Sequence, residues 1–151
     1  MIWLFAIGAL IFVGYEVYMN EGNGGTTSGN SFIDAFANAI ASAEGSNPSI
    51  NNPGDLTSGD FDPSNVTGVF NSAGVAIVDT VQNGWSALYT KLQNALDGNS
   101  AIYSADMTIQ EFADKFTGGD NSSSWASSVA SDLGVSTDTT LADAQAQYDG
   151  D

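Results

Sequence analysis

After an apolar N-terminal segment, the first amphipathic pattern of the chain begins at Phe32. Apolar residues recur there at the three- and four-residue spacing of one helix face, which predicts an α-helix. The residues on this face are Phe32, Ile33, Phe36, Ala37, Ile40 and Ala41. Ser31 precedes them and is the predicted N-cap. Glu44 follows Ile33 by eleven positions, so at about 100° per residue it falls within about 20° of that side chain. The pattern therefore directs a carboxylate toward the buried face.

Helical spacing of apolar residues returns in three later segments. Their stripes are Trp85, Leu88, Tyr89, Leu92 and Leu96 in the first, Ile109, Phe112, Ala113 and Phe116 in the second, and Trp125, Val129 and Leu133 in the third. Helices this amphipathic must bury the apolar face to be stable. We therefore interpret these side chains as core.

Helix start and stop signals frame the same segments. Gly98 is the predicted C-cap of the first, and Gly134 ends the third. Thr108 and Glu111 have the spacing of a capping box, which predicts the start of the second. Thr140 opens a short last helix that frays into the C-terminus.

Residues 65–80 have the pattern of a β-hairpin. Two β-rich runs, "NVTGVF" and "GVAIVDT", are joined through "NSAG", and short β-prone runs around a turn sequence predict paired strands. The order of a helix, a hairpin and then more helices predicts an α+β domain that is mainly α, with the hairpin as a small wing.

The N-terminal sequence "MIWLFAIGALIFVGYEVYMN" predicts a transmembrane anchor over residues 1–19. Eighteen helical residues, 2–19, reach about 27 Å, close to the hydrocarbon thickness of a bilayer. A cleaved signal peptide is the alternative, but a basic leading region and a small-x-small cleavage site are both missing. Residues 20–31 have the Gly, Ser, Thr and Asn content of a linker. The folded domain is predicted over 32–141, followed by an acidic tail over 142–151.

Charge and composition restrict the partners and the chemistry. Eighteen Asp and Glu against two Lys and Arg give a net charge of −16, which repels phosphate backbones and argues against nucleic acid as a partner. The chain has no Cys and no His, so thiolate and imidazole metal sites are excluded. Acid–base chemistry must therefore use carboxylates, and we expect neither a metal nor a cofactor.

Three segments in order resemble the lysozyme-like domains of bacteriophage and bacterial proteins. "AIASAEGSNPSINNPGDL" resembles the catalytic segment, in which an apolar helix ends in Glu-Gly before an Asn-Asn-Pro-Gly turn. "VQNGWSALYTKL" is similar to a Gly-Trp-x-Ala-Leu helix of that family, and "MTIQEFADKFTGGDNSSSWASSVASDLGVSTDTTL" is similar to its C-terminal motif. The resemblance covers roughly residues 33–141.

This resemblance to goose-type lysozymes and lytic transglycosylases implies peptidoglycan as the substrate. The bond cleaved would be the β-1,4 bond between N-acetylmuramic acid and N-acetylglucosamine, with Glu44 as the catalytic acid. Substrate-binding candidates implied by the match are Asn51, Asn52, Asp55, Phe116, Gly118 and Gly119. The alternative for Asn51 and Asn52 is that they are ordinary turn residues. Asp55 stands where the family has Asn, and Phe116 stands where it often has Tyr.

The reaction type follows from this resemblance together with the pattern of the other acids, and the cellular setting follows from it together with the predicted anchor. A transglycosylase with a single glutamate fits better than a two-carboxylate glycosidase, because the other acids near the hairpin have the pattern of solvated turn residues. The expected location is a virion membrane or the outer face of a cytoplasmic membrane, with virion or envelope proteins as candidate partners. A catalytically weak or inactive lysozyme-like structural protein of a membrane-containing virion is the alternative, and a carbohydrate-binding module is a third interpretation.

Overall fold

The structure, a computed structural model, describes residues 29–45 and 47–150. This part of the chain contains five α-helices and one two-stranded sheet, which confirms the prediction of an α+β fold that is mainly α. The elements are α1 (Ser31–Glu44), β1 (Val66–Val69), β2 (Ala76–Val78), α2 (Val81–Leu96), α3 (Ile109–Phe116), α4 (Ser122–Leu133) and α5 (Leu141–Asp149). Short 3-10 turns at Pro48–Ile50, Ser58–Asp60 and Pro63–Asn65 precede the sheet.

Helix α1 lies at the centre of the helical core, where it packs against α2, α4 and α5. Its apolar stripe is buried as the periodicity predicts, with Ile33 and Ile40 fully covered. Phe36 meets Phe112 of α3 with 5.2 Å between ring centroids, a separation typical of favourable aromatic pairs. The core therefore forms around the helix that ends at Glu44.

Both ends of α1 are capped by specific residues. The predicted N-cap, Ser31, is wrong: it is the first helical residue, and the Asn30 side chain accepts hydrogen bonds from the backbone N–H groups of Phe32 and Ile33. At the other end Gly45 has a φ of 75°, which glycine adopts without the steric cost of a Cβ. Glu44 is consequently the last helical residue, at the point where the chain turns away.

Strands β1 and β2 form the predicted antiparallel hairpin. Val66 pairs with Val78 and Val69 with Ala76, with a register irregularity after Val66. The connecting turn is held by Asn71, whose side-chain oxygen accepts hydrogen bonds from the backbone N–H groups of Ala73 and Val75.

Most of the later helix boundaries agree with the sequence signals. Thr108 and Glu111 form the capping box of α3, Gly134 ends α4 with a φ of 70°, and Thr140 caps α5. The segment assigned to an acidic tail is helical as far as Asp149, and its residue Ala144 is buried. Helix α2 has Asp97 as its C-cap instead of Gly98, which follows it with a φ of 73°.

The predicted anchor lies outside the described residues, as does most of the predicted linker. Within 29–45 and 47–150, no helix has the length and apolar character needed to cross a bilayer.

Candidate active site

A cleft of about 440 Å³ separates the helical core from the hairpin. This volume is within the range of about 300–1,000 Å³ that is usual for ligand sites. The cleft is lined by the end of α1, by the loop and hairpin turn that follow, and by the corner between α3 and α4. Its lining residues are Ala43, Glu44, Gly54, Asp55, Asn71, Ala73, Val75, Phe116, Thr117, Asp120, Asn121, Ser124, Trp125 and Ser128.

Glu44 places a half-buried carboxyl in this cleft. Its Oε1 accepts a hydrogen bond of 2.7 Å from the indole Nε1–H of Trp125, which lies on α4. Desolvation raises the pKa of Glu44 above its usual value, the Trp125 hydrogen bond partly opposes that rise, and the negative charge of Asp55 adds to it. Burial penalises the charged form of a carboxyl, so Glu44 retains its proton to a higher pH than an exposed glutamate.

An aromatic cluster supports the helical side of the cleft. Trp125 packs against Phe116 with 5.2 Å between ring centroids, and against Phe112 with 6.2 Å. Phe112 is fully buried, whereas Phe116 is only partly buried and lines the cleft. The predicted site residue Phe116 therefore belongs to the same surface as Glu44, and it joins that surface to the core.

Asp55 is the second carboxylate that the fold brings into the cleft. Its φ of 47° is unusual for a residue other than glycine, although Asp and Asn tolerate this left-handed conformation better than most. Burial raises the pKa of the Asp55 carboxyl. Asp55 lines the same cleft as Glu44, and its negative charge adds to the rise in the pKa of Glu44. Its partial burial differs from the solvated turn position expected of the acids near the hairpin.

Asn51 and Asn52 do not line the cleft. The Asn52 amide is buried and bonds the backbone oxygens of Leu56 and Ala76, while its own oxygen accepts from the Leu56 N–H. The Asn51 amide donates to the backbone oxygen of Val78 at 3.0 Å. Both side chains therefore join the loop to strand β2, which corresponds to the alternative structural role rather than to contact with Glu44.

Gly118 and Gly119 are likewise outside the lining residues. Both are exposed and have φ values of 68° and 91°, which favour glycine because it has no Cβ. The two glycines make the turn between α3 and α4 that brings Thr117 and Asp120 to the cleft. Their contribution is to the shape of the corner.

Trp125 is the principal site residue that the periodicity did not identify. Its place at the start of an apolar stripe predicts a core residue, and it is indeed buried. A buried tryptophan usually finds a hydrogen-bond partner for its N–H. This requirement is the feature of the sequence that could indicate a polar contact of Trp125. The sequence alone offered no means of naming Glu44 as that partner, because 81 positions separate the two residues.

The charged groups of the cleft are all acidic. Of the described residues that line it, Glu44, Asp55 and Asp120 carry carboxyls and none carries a cationic side chain. Lys91 forms an ion pair with Asp60. In residues 29–45 and 47–150, no three Asp or Glu side chains form a group suited to holding a metal ion.

Comparison of the chain with protein-family models, with curated proteins and with solved structures gives no match. The functional interpretation therefore rests on the residues of the cleft and on the motifs of the sequence.

Proposed function

We propose that this protein cleaves peptidoglycan at the β-1,4 bond between N-acetylmuramic acid and N-acetylglucosamine, with Glu44 as the general acid. The observation that carries the proposal is the half-buried Glu44 carboxyl in an open cleft, with a pKa raised by desolvation. A general acid must be protonated when substrate binds, and burial is a common means of achieving this. The resemblance of the Glu-Gly and Asn-Asn-Pro-Gly segments to lysozyme-like domains supports the same assignment.

The other lining residues suit a saccharide. Phe116 and the ring of Trp125 offer apolar surface at the helical side, and an amphipathic sugar ring can pack on such surface through its C–H groups. Asn71, Asn121 and Ser124 offer hydrogen-bonding groups around the same cleft. Apolar surface with a few polar groups is the usual composition of a small-ligand site.

A lytic transglycosylase mechanism needs one carboxyl that first donates and then accepts a proton, and Glu44 can serve in both steps. Glu44 gives its proton to the departing glycosidic oxygen, while the N-acetyl oxygen of the substrate bonds to the anomeric carbon. The ionised Glu44 then takes the proton of the 6-hydroxyl, whose oxygen displaces the N-acetyl oxygen and closes an anhydro ring. Proton transfer by a positioned carboxyl contributes about 10²–10⁴-fold to such a reaction.

A membrane location is part of the same proposal. Residues 2–19 would hold the domain at a virion membrane or at the outer face of a cytoplasmic membrane, near the cell wall. This part of the proposal rests on the apolar N-terminal sequence alone.

Digestion of purified peptidoglycan sacculi by the full-length chain in mild detergent tests the activity. Mass spectrometry of the released fragments distinguishes anhydro ends, expected of a transglycosylase, from reducing ends, expected of a hydrolase. Glu44→Gln should reduce release by at least about 100-fold, because an amide cannot donate the same proton.

Glu111→Gln is the matched control, because it makes the same change of group at an exposed capping-box position. Glutamine also serves at this position of a capping box, so release should be unchanged. Wild-type chain that releases no fragments under any condition would instead support the structural virion protein. Full activity in Glu44→Gln would refute the assignment of the acid.

A further inference from the structure

The hydrogen bond between Trp125 and Glu44 has a chemical consequence for the carboxyl. An indole Nε1–H is a donor only, and here it points at Oε1 of Glu44 over 2.7 Å. When Glu44 is protonated, its carbonyl oxygen is a better acceptor than its hydroxyl oxygen, so the indole N–H favours the carbonyl oxygen at Oε1. The acidic proton is therefore carried by Oε2, and Oε1 remains the acceptor in both protonation states.

The Trp125 ring is held in place by the core. It is buried on α4 and packs against Phe112 and Phe116 of α3. Helix α4 itself packs against α1, which carries Glu44. Dense packing of this kind leaves a large side chain few alternative positions. The donor is thus fixed relative to the helix that carries its acceptor.

We propose that Trp125 is a positioning residue for Glu44, which fixes the carboxyl orientation and leaves Oε2 as the oxygen that transfers the proton. This inference rests on the proposed function, because it assigns the orientation of the same acid. Trp125 is not assigned any contact with the substrate's reacting atoms. Its contribution is to hold Glu44 in one productive geometry before substrate binds.

The other charged groups around Glu44 define the pH behaviour. Asp55 faces it from the loop, and Asp120 lies on the α3–α4 corner of the same cleft. The indole hydrogen bond favours the ionised carboxyl, whereas the Asp55 charge disfavours it. Loss of the indole donor should therefore raise the pKa of Glu44, and loss of the Asp55 charge should lower it.

Variants Trp125→Phe and Asp55→Asn test this pair of opposite effects in the full-length chain. Trp125→Phe keeps an aromatic ring but has no donor, so release at the optimal pH should fall about 10- to 100-fold as the carboxyl loses its orientation. The alkaline limb of its pH–rate profile should move to higher pH. Asp55→Asn should move that limb to lower pH.

Trp85→Phe is the matched control, because Trp85 is also buried but stacks on Tyr89 of α2 and does not line the cleft. Its pH–rate limb should coincide with that of the wild type. A purely structural role for Trp125 would lower the rate at all pH values without moving the limb, and this result would overturn the proposal.

A second measurement is independent of cleavage. In ¹⁵N-labelled full-length chain, the indole N–H resonance of Trp125 should titrate with Glu44, and this titration should vanish in Glu44→Gln. A resonance that does not respond to pH in the wild type would overturn the proposal. If the Trp125 resonance titrates but the chain releases no fragments, the contact between Trp125 and Glu44 is supported and the proposed function is refuted.

Discussion

The two walls of the cleft are stabilised by different interactions. The helical wall, made of Glu44, Phe116 and Trp125, is continuous with the apolar core. The loop wall, made of Gly54, Asp55, Asn71, Ala73 and Val75, is joined to the hairpin and to its own turn by amide side chains that bond to the backbone. Asn52 alone makes three such bonds, with donor–acceptor distances of 2.8–2.9 Å.

This difference indicates how each wall responds to mutation. Apolar packing depends on summed area and volume, so it tolerates swaps that conserve volume. An amide hub depends on the direction of each hydrogen bond, and its loss removes those bonds from buried backbone groups. We therefore expect the position of the loop wall to depend on a few residues, and the helical wall to depend on many.

The largest effect is expected from Gly84→Ala, where the loop meets α2. A Cβ at this position would lie 1.9 Å from the backbone oxygen of Asn51 and 2.9 Å from Pro53 Cδ. Alanine gains about 1 kcal/mol in helix propensity, but the backbone contact forces the loop away. We expect a net loss of about 3–5 kcal/mol in the free energy of unfolding, measured by urea denaturation.

Gly59→Ala is the control for this substitution. No atom lies within 4 Å of the Cβ that it would add, so its effect should stay within about 0.5 kcal/mol. If Gly84→Ala is as stable as the wild type, the loop wall does not rest on α2 as closely as the structure shows.

A smaller loss is expected from Asn52→Ala. The change removes all three amide bonds and leaves the N–H and oxygen of Leu56 and the oxygen of Ala76 without these partners. We expect a loss of about 2–3 kcal/mol in the free energy of unfolding. Asn47→Ala is the comparison, since among the described residues the Asn47 side chain bonds only the nearby, exposed Ser49. Equal effects of the two substitutions would contradict the hub role of Asn52.

Sequence reasoning recovered the helical wall better than the loop wall, for a physical reason. Helix faces repeat every three or four residues, so the stripes and the inward direction of Glu44 were readable from local spacing. Capping signals such as Thr108 with Glu111 are local as well. Local patterns therefore predicted the helices of the core and one half-buried acid.

The partners across the fold were not readable from local patterns. Asn52 bonds Ala76 across 24 positions, and Trp125 bonds Glu44 across 81. Both contacts depend on how separate elements pack, and a single sequence contains no spacing rule for that. The sequence consequently offers a saccharide-binding role or an ordinary turn role for Asn51 and Asn52, and neither includes their bonds to β2. Trp125 is likewise predicted as core without its polar contact.

The smallest predicted effect is that of Glu44→Gln on the thermal stability of the protein. Because burial raises the pKa of Glu44, its ionised form is disfavoured in the folded protein. The resulting loss of stability is absent below the unfolded pKa and is fully present once the pH has risen through the folded pKa. The glutamine side chain of Glu44→Gln would stay neutral and keep an oxygen for the indole. Glu44→Gln should therefore raise the thermal midpoint by roughly 2 °C at pH 8, since partial exposure limits the gain. It should leave the midpoint unchanged at about pH 3.5, which is below the ordinary pKa of glutamate.

Asp106→Asn, at an exposed position, measures the effect of net charge alone. An equal gain in both variants at pH 8 would show that Glu44 is solvated, and the helical wall would then lack the desolvated acid on which the proposed chemistry depends.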